Sequence, residues 1–120
     1  ERVAADKPLR NDIKIGTVYP IFKGAAGKIF GAYLADFKDT DMSAGESSQI
    51  RHDGYVVTRG NRVPDAASIA VPIFSFGNKL EAVMTISGPI GDYTEERVNE
   101  YLSVMIALGQ TISKHMGATL

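Results

Sequence analysis

Hydrophobic and polar positions alternate along residues 12–19, DIKIGTVY, where Ile13 and Ile15 fall between polar neighbours. This period of two predicts a β-strand that ends at Pro20. The period changes over residues 23–35, where Ile29, Phe30, Tyr33 and Leu34 fall together and predict a helix with one apolar face. Residues 36–48 are polar and small and predict a loop leading into a short helical turn that ends near Asp53 and Gly54. Three segments rich in β-branched residues follow, 55–59, 68–74 and 80–87, with Phe76, Gly77 and Asn78 as a tight hairpin between the last two. At the end of the chain Val98, Tyr101, Leu102, Met105, Gly109 and Ile112 make one stripe, which predicts a long helix over 94–116. Its ends agree: Thr94 can cap, Glu95 and Glu96 suit the positive end of the dipole, Lys114 and His115 the negative end, and Gly117 can stop it. The order strand, helix, three antiparallel strands, helix predicts an α+β domain with helices packed on a mainly antiparallel sheet.

Parity along residues 80–87 puts Leu80, Ala82, Met84 and Ile86 on one face, and Glu81, Val83, Thr85 and Ser87 on the other. The first face reads as core. The second either faces water or, joined by Ser68 and Thr58 from the neighbouring strands, gathers short donors suited to a small polar ligand. The helix start GAAGK, residues 24–28, is open in the same way. Its small side chains let an anion approach unpaired N–H groups, or they let the helix pack closely on a sheet.

Length and composition narrow the function classes. With 120 residues the chain is one domain, 44% hydrophobic and 22% charged, within the ordinary globular range. A formal charge of −1 without a basic run leaves little to neutralise a nucleic-acid backbone, so contact with DNA is expected only through another domain. The lack of cysteine excludes disulfides and thiolate chemistry and fits a reducing, cytoplasmic setting. The longest apolar run, within 101–109, is too short for a bilayer, and no membrane partner is expected. The chain opens on Glu1 in an alternating ERVAA, as expected of a piece of a longer protein.

Motifs for catalysis are missing. A Walker loop would need glycine at position 22 and Ser or Thr at position 29, which hold Phe22 and Ile29. His52 and His115 lie far apart, so neither a metal nor a cofactor is expected; they read as a turn residue in water and a helix-end charge. Asp39, Asp41 and Glu46 read as solvated loop carboxylates, and Ser47, Ser48 and Ser68 have no base beside them in sequence. The chain is therefore not expected to be an enzyme.

The run IRHDGYVVTRGNRVPDAASIAVPIF, followed by AVMTISGPIGDYTEERV and a long helix, resembles the effector-binding domain of IclR-family transcriptional regulators, as does PLRNDIKIGTVYP with AAGK behind it. Members of this family carry an N-terminal winged helix-turn-helix and a C-terminal domain that binds a small metabolite, often an organic or aromatic acid. The resemblance implies that residues 1–120 are that second domain, truncated at its N-terminus and without the DNA-binding part. It implies an α+β, GAF-like (profilin-like) antiparallel sheet flanked by helices, bacterial origin, and assembly into homodimers or tetramers. The pocket it implies falls on Gly24, Ala25, Ala26 and Gly27 at the helix start, and on Thr58, Ala66, Ser68, Thr85 and Ser87. Some members have an acidic residue in place of Thr58, a cysteine in place of Ser68 and a serine in place of Thr85, and the connection over 34–50 is shorter here. The alternative is a dimerisation or scaffold domain with no ligand.

Overall fold

The computed structural model describes residues 24–34, 42–60 and 64–119. The strand expected over 12–19, and Asp39 and Asp41, lie outside them. The described elements run α1 (Ala25–Tyr33), α2 (Ala44–Asp53), β1 (Val56–Arg59), β2 (Ala66–Phe74), β3 (Leu80–Pro89) and α3 (Glu95–His115). The three strands form an antiparallel sheet in the order β1-β2-β3. One face carries α1 and α2, through a cluster of Ala25, Ile29, Ala32, Ile50, Val56 and Ala70. The other carries α3, through Ala67, Ile69, Val71, Tyr93, Val98 and Met105. This is the α+β architecture that the periodicity predicts.

Helix α1 buries a different face from the expected one. Ala25, Gly27, Ile29 and Ala32 are buried, whereas Phe30, Tyr33 and Leu34 keep partial access to solvent. Small side chains bring the helix backbone close to the sheet, and the larger neighbours are left at the rim.

Helix α2 begins at Ala44, inside the loop expected over 36–48, and ends at Asp53, where the helical turn was expected to end. The Ser43 hydroxyl accepts from the Glu46 N–H at 3.1 Å, and Ser43 with Glu46 three residues on is the spacing of a capping box. The helix ends at Gly54, whose φ of 76° is open to glycine at little cost. Glu46 is therefore a helical residue, and its carboxylate takes an ion pair from Lys28 of α1. His52 lies in the last helical turn and is exposed, in keeping with a turn residue in water.

In the β2–β3 hairpin Gly77 and Asn78 take φ of 80° and 55°, as a tight reversal requires. Past the turn the register shifts: Ile73 pairs with Ala82 but Phe74 with Leu80, so Glu81 is an extra residue on β3. That bulge turns Leu80 to the opposite face from the one parity assigns, and it packs with Val83 against the α1 cluster. The hydroxyl-bearing face is thus the face beneath α1.

Helix α3 is capped by Thr94, whose hydroxyl accepts from the Arg97 N–H at 3.2 Å. It lies on the sheet through Val98, Met105, Gly109 and Ser113. Ser113 is fully buried and Ile112 is 37% exposed, so the stripe drifts one position from the expected Ile112 near its C-terminal end. The 3.6-residue period makes an apolar row of this length rotate away from a flat sheet.

Candidate functional site

Antiparallel pairing brings the strand hydroxyls into rows. Thr58 is opposite Ser68, and Ser68 opposite Ser87, so three hydroxyls cross the sheet in one line. The Ser68 and Ser87 hydroxyls are 2.8 Å apart and hydrogen-bonded. Thr85 is opposite Ala70, one same-face row along toward α1, and Ala66 lies one row the other way, opposite Pro89. All five share the α1 face, because their row neighbours Val56, Ala70 and Val83 pack under that helix. Thr58 is buried, Ala66 and Ser68 are half-buried, and Thr85 and Ser87 are exposed.

The direction of α1 relates its start to this line. Ala25 belongs to the buried cluster that includes Val56 and Ala70, while the Tyr33 ring meets Phe74 edge-on at 5.3 Å. Nine helical residues span about 13 Å, as do the four strand steps from Ala70 to Phe74. The Tyr33 end of the helix is thereby placed at Phe74, the end of β2 away from Ser68. Gly24 sits at the cap position and offers no side chain to the first turn, so the N–H groups of Ala25, Ala26 and Gly27 have no hydrogen-bond partner among the described residues. The helix dipole adds partial positive charge at this end. Ala25 and Gly27 themselves are buried against the sheet, and Ala26 is half-buried.

Beside Thr58 a groove of about 310 Å³ opens between α1, α2 and β1, lined among others by Lys28, Glu46, Ile50 and Val56. The Lys28–Glu46 pair at its wall was not expected from sequence, although the Ser43-to-Glu46 spacing carries the signal that places Glu46 on a helix. A second groove, of about 220 Å³, lies at the far end of α1 between Tyr33, Pro72, Phe74, Gly109 and Gln110. Burial raises the Tyr33 hydroxyl above its ordinary pKa, and the nearby Arg51 cation pulls it back in part. Arg51 is held there by donating to the Ala32 carbonyl at 2.9 Å. Among the described residues no three His, Cys, Asp or Glu side chains are grouped to hold a metal, and no helix is long and apolar enough to cross a membrane.

Comparison with known proteins agrees with this architecture. Residues 37–114 match the family described as bacterial transcriptional regulator IclR, C-terminal. The HTH-type transcriptional regulator KdgR of Escherichia coli (strain K12) is 26% identical over 128 residues, which cover 91% of this chain and 49% of KdgR. The chain thus spans about half the length of the curated relative it matches. Among solved structures, an IclR-family regulator from Rhodococcus sp. superposes with a TM-score of 0.81 at 26% identity, covering 93% of this chain and 49% of its own. The C-terminal domain of E. coli KdgR gives a TM-score of 0.69 at 25% identity, covering 96% of this chain and 85% of its own. The Thermotoga maritima IclR, at 21% identity, shares the fold with a TM-score of 0.83 over 98% of this chain and 56% of its own.

Proposed function

The chain belongs to the family of bacterial IclR regulator C-terminal domains, and on that premise we propose that it senses a small organic or aromatic carboxylate. Occupancy of the site then controls DNA binding by a separate N-terminal domain. What supports this reading is the line Thr58, Ser68 and Ser87 on the face that α1 covers, together with first-turn N–H groups of α1 that have no partner among the described residues. Backbone N–H groups need no side-chain ordering to meet a carboxylate, and the dipole favours its charge. The hydroxyls of Ser68, Thr85 and Ser87 take the remaining oxygens and fix orientation. No proton or electron is moved in this scheme. Binding is the whole function of the site, and assembly of several copies is the proposed means of conveying it.

A thermal-shift screen of small carboxylic acids tests the reading. A ligand present at a hundredfold excess over its Kd stabilises the folded state by about 2.7 kcal/mol, which a melting curve resolves. If no acid in a broad panel moves the melting temperature, the sensing role fails. The scaffold reading then gains, since buried Ala25 and Gly27 are what close helix–sheet packing alone would require.

A further inference from the structure

Strand β1 begins at Val56, opposite Ala70, while β2 runs on to Phe74, so the last residues of β2 lack a strand partner on that side among the described residues. The Gly60 N–H donates to the Ala66 carbonyl at 2.8 Å and the Phe74 N–H to the Ser113 hydroxyl at 2.9 Å, so even-numbered β2 residues turn their backbone groups to this side. The Pro72 carbonyl therefore points into the gap. The register would set Gly54 opposite it, but the Gly54 N–H is already given to the Ile50 carbonyl at 2.8 Å. Pro72 is buried, and its carbonyl has no hydrogen-bond partner among the described residues. A buried acceptor without a donor is a standing demand.

The groove of about 220 Å³ opens on this edge, between the ends of α1 and α2 and the second half of α3. Gly109 keeps the carbonyl accessible, since a Cβ there would stand 3.6 Å from the Pro72 oxygen. Much of the wall is carbon, from Val71, Phe74 and Ile106, with the Tyr33 ring edge-on to Phe74 at 5.3 Å. A water on the carbonyl would find few further partners against such a wall and is readily displaced. The charges at the α2 end offset one another. Asp53 lines the groove and accepts from Gln49 at 2.8 Å, and the Arg51 guanidinium, two residues before it, donates to the Ala32 carbonyl at 2.9 Å.

We infer that this groove is a second binding site, for a small neutral ring compound carrying one O–H or N–H donor. The donor satisfies the Pro72 carbonyl, and the ring takes the carbon wall. A cavity of about 150 Å³ with apolar walls already holds a benzene ring, so a groove of about 220 Å³ has room for a ring with one substituent. Balanced charge at the α2 end favours a neutral ligand, and the unpaired acceptor selects a donor over a plain hydrocarbon. The site is separate from the hydroxyl line, because Pro72 lies four strand steps, about 13 Å, along β2 from Ser68.

Phenol is the probe, and toluene, with a methyl group in place of the hydroxyl, is its control. In an NMR titration of the isotope-labelled 120-residue chain, phenol should move the Ile106 methyl and Pro72 carbonyl-carbon resonances together. Toluene should leave the carbonyl carbon in place. Gln110→Trp, at an exposed position on the groove, should fold like the parent and weaken phenol binding by roughly tenfold or more, by taking the volume that buries the ring. A Pro72 carbonyl carbon that stays in place through the phenol titration, or that answers toluene equally, overturns the inference. So does a folded Gln110→Trp that binds phenol like the parent. No carboxylate enters the test, so its outcome is independent of the sensing role.

Discussion

The backbone N–H of Phe74 donates to the hydroxyl of Ser113 at 2.9 Å, tying the end of the central strand to the last turns of α3. Strand β2 outruns β1, whose pairing stops at Val56 opposite Ala70, so the β2 edge beyond Ala70 has no strand on that side among the described residues. Two residues there have groups that face the gap. Pro72 has no N–H to leave unpaired, and Phe74 gives its own to Ser113. Ser113→Ala removes the acceptor and leaves a buried donor unsatisfied, which should cost about 1 to 3 kcal/mol. Urea denaturation of the two proteins measures it, and coincident curves would show that water takes over the bond.

Gly109 lies where α3 packs closely on the sheet. A Cβ there would lie 3.3 Å from Val71 Cγ2 and 3.6 Å from the Pro72 carbonyl oxygen. Gly109→Leu would push the helix off β2 and should destabilise by about 1 to 3 kcal/mol. Met105, one turn earlier and 4% exposed, tests the same contact from the other direction. Met105→Ala leaves a cavity and should cost about 2 to 5 kcal/mol. Thermal melts of both variants near the parent's would mean that α3 is not held through this stripe.

How far the sequence spoke for this structure depended on the range of the signal. The long helix and the three strands were legible because their periods run over many residues, and the end residues of α3 agree with its dipole. Two features were not, and a third was only in part. Glu81 is extra on β3 only relative to its partner strand, so parity within β3 could not show that Leu80 turns to the α1 face. Ser113 is buried because an unpaired amide of β2 needs an acceptor, a demand that no pattern within α3 expresses. Helix α2 was legible at its end, the helical turn expected near Asp53 and Gly54, but its start was not, because it has almost no apolar stripe and Ile50 is its one buried residue. The strand hydroxyls of the candidate site were legible as a shared face, but that α1 covers this face is seen only in the packed structure.

Tyr93 gives the fold a limit in alkali. Burial, helped by the neighbouring Tyr101 and Asp92, pushes its hydroxyl from 10.0 up to about 12. Between those values the unfolded chain releases a proton that the folded chain keeps, so rising pH favours unfolding. The stabilisation is present in full below pH 10 and is lost as pH rises toward 12. Denaturant midpoints taken across that window should fall for the parent and fall less steeply for Tyr93→Phe. Equal slopes would assign the alkaline loss to other groups.

The site makes its own ordering of variants. Ser87 is exposed and touches Ser68 through its hydroxyl, so Ser87→Ala leaves the helix packing untouched and should fold like the parent. A hydrogen bond to a charged group contributes about 1.5 to 3 kcal/mol, which makes the expected loss of carboxylate affinity roughly ten- to a hundredfold. Ser68→Ala should lose a similar amount, since each hydroxyl holds the other in place. Ala26→Leu should abolish binding, because Ala26 is the half-buried residue of the first turn and a larger side chain there fills the approach to its N–H groups. Lys28→Met should matter least for affinity, as its ammonium is already engaged by Glu46 across the neighbouring groove. Calorimetry with the acid found in the melting screen ranks the four. If Ser87→Ala and Ala26→Leu bind it as tightly as the parent while Lys28→Met does not, the ligand lies in the groove beside Thr58 and the small residues of α1 serve packing alone.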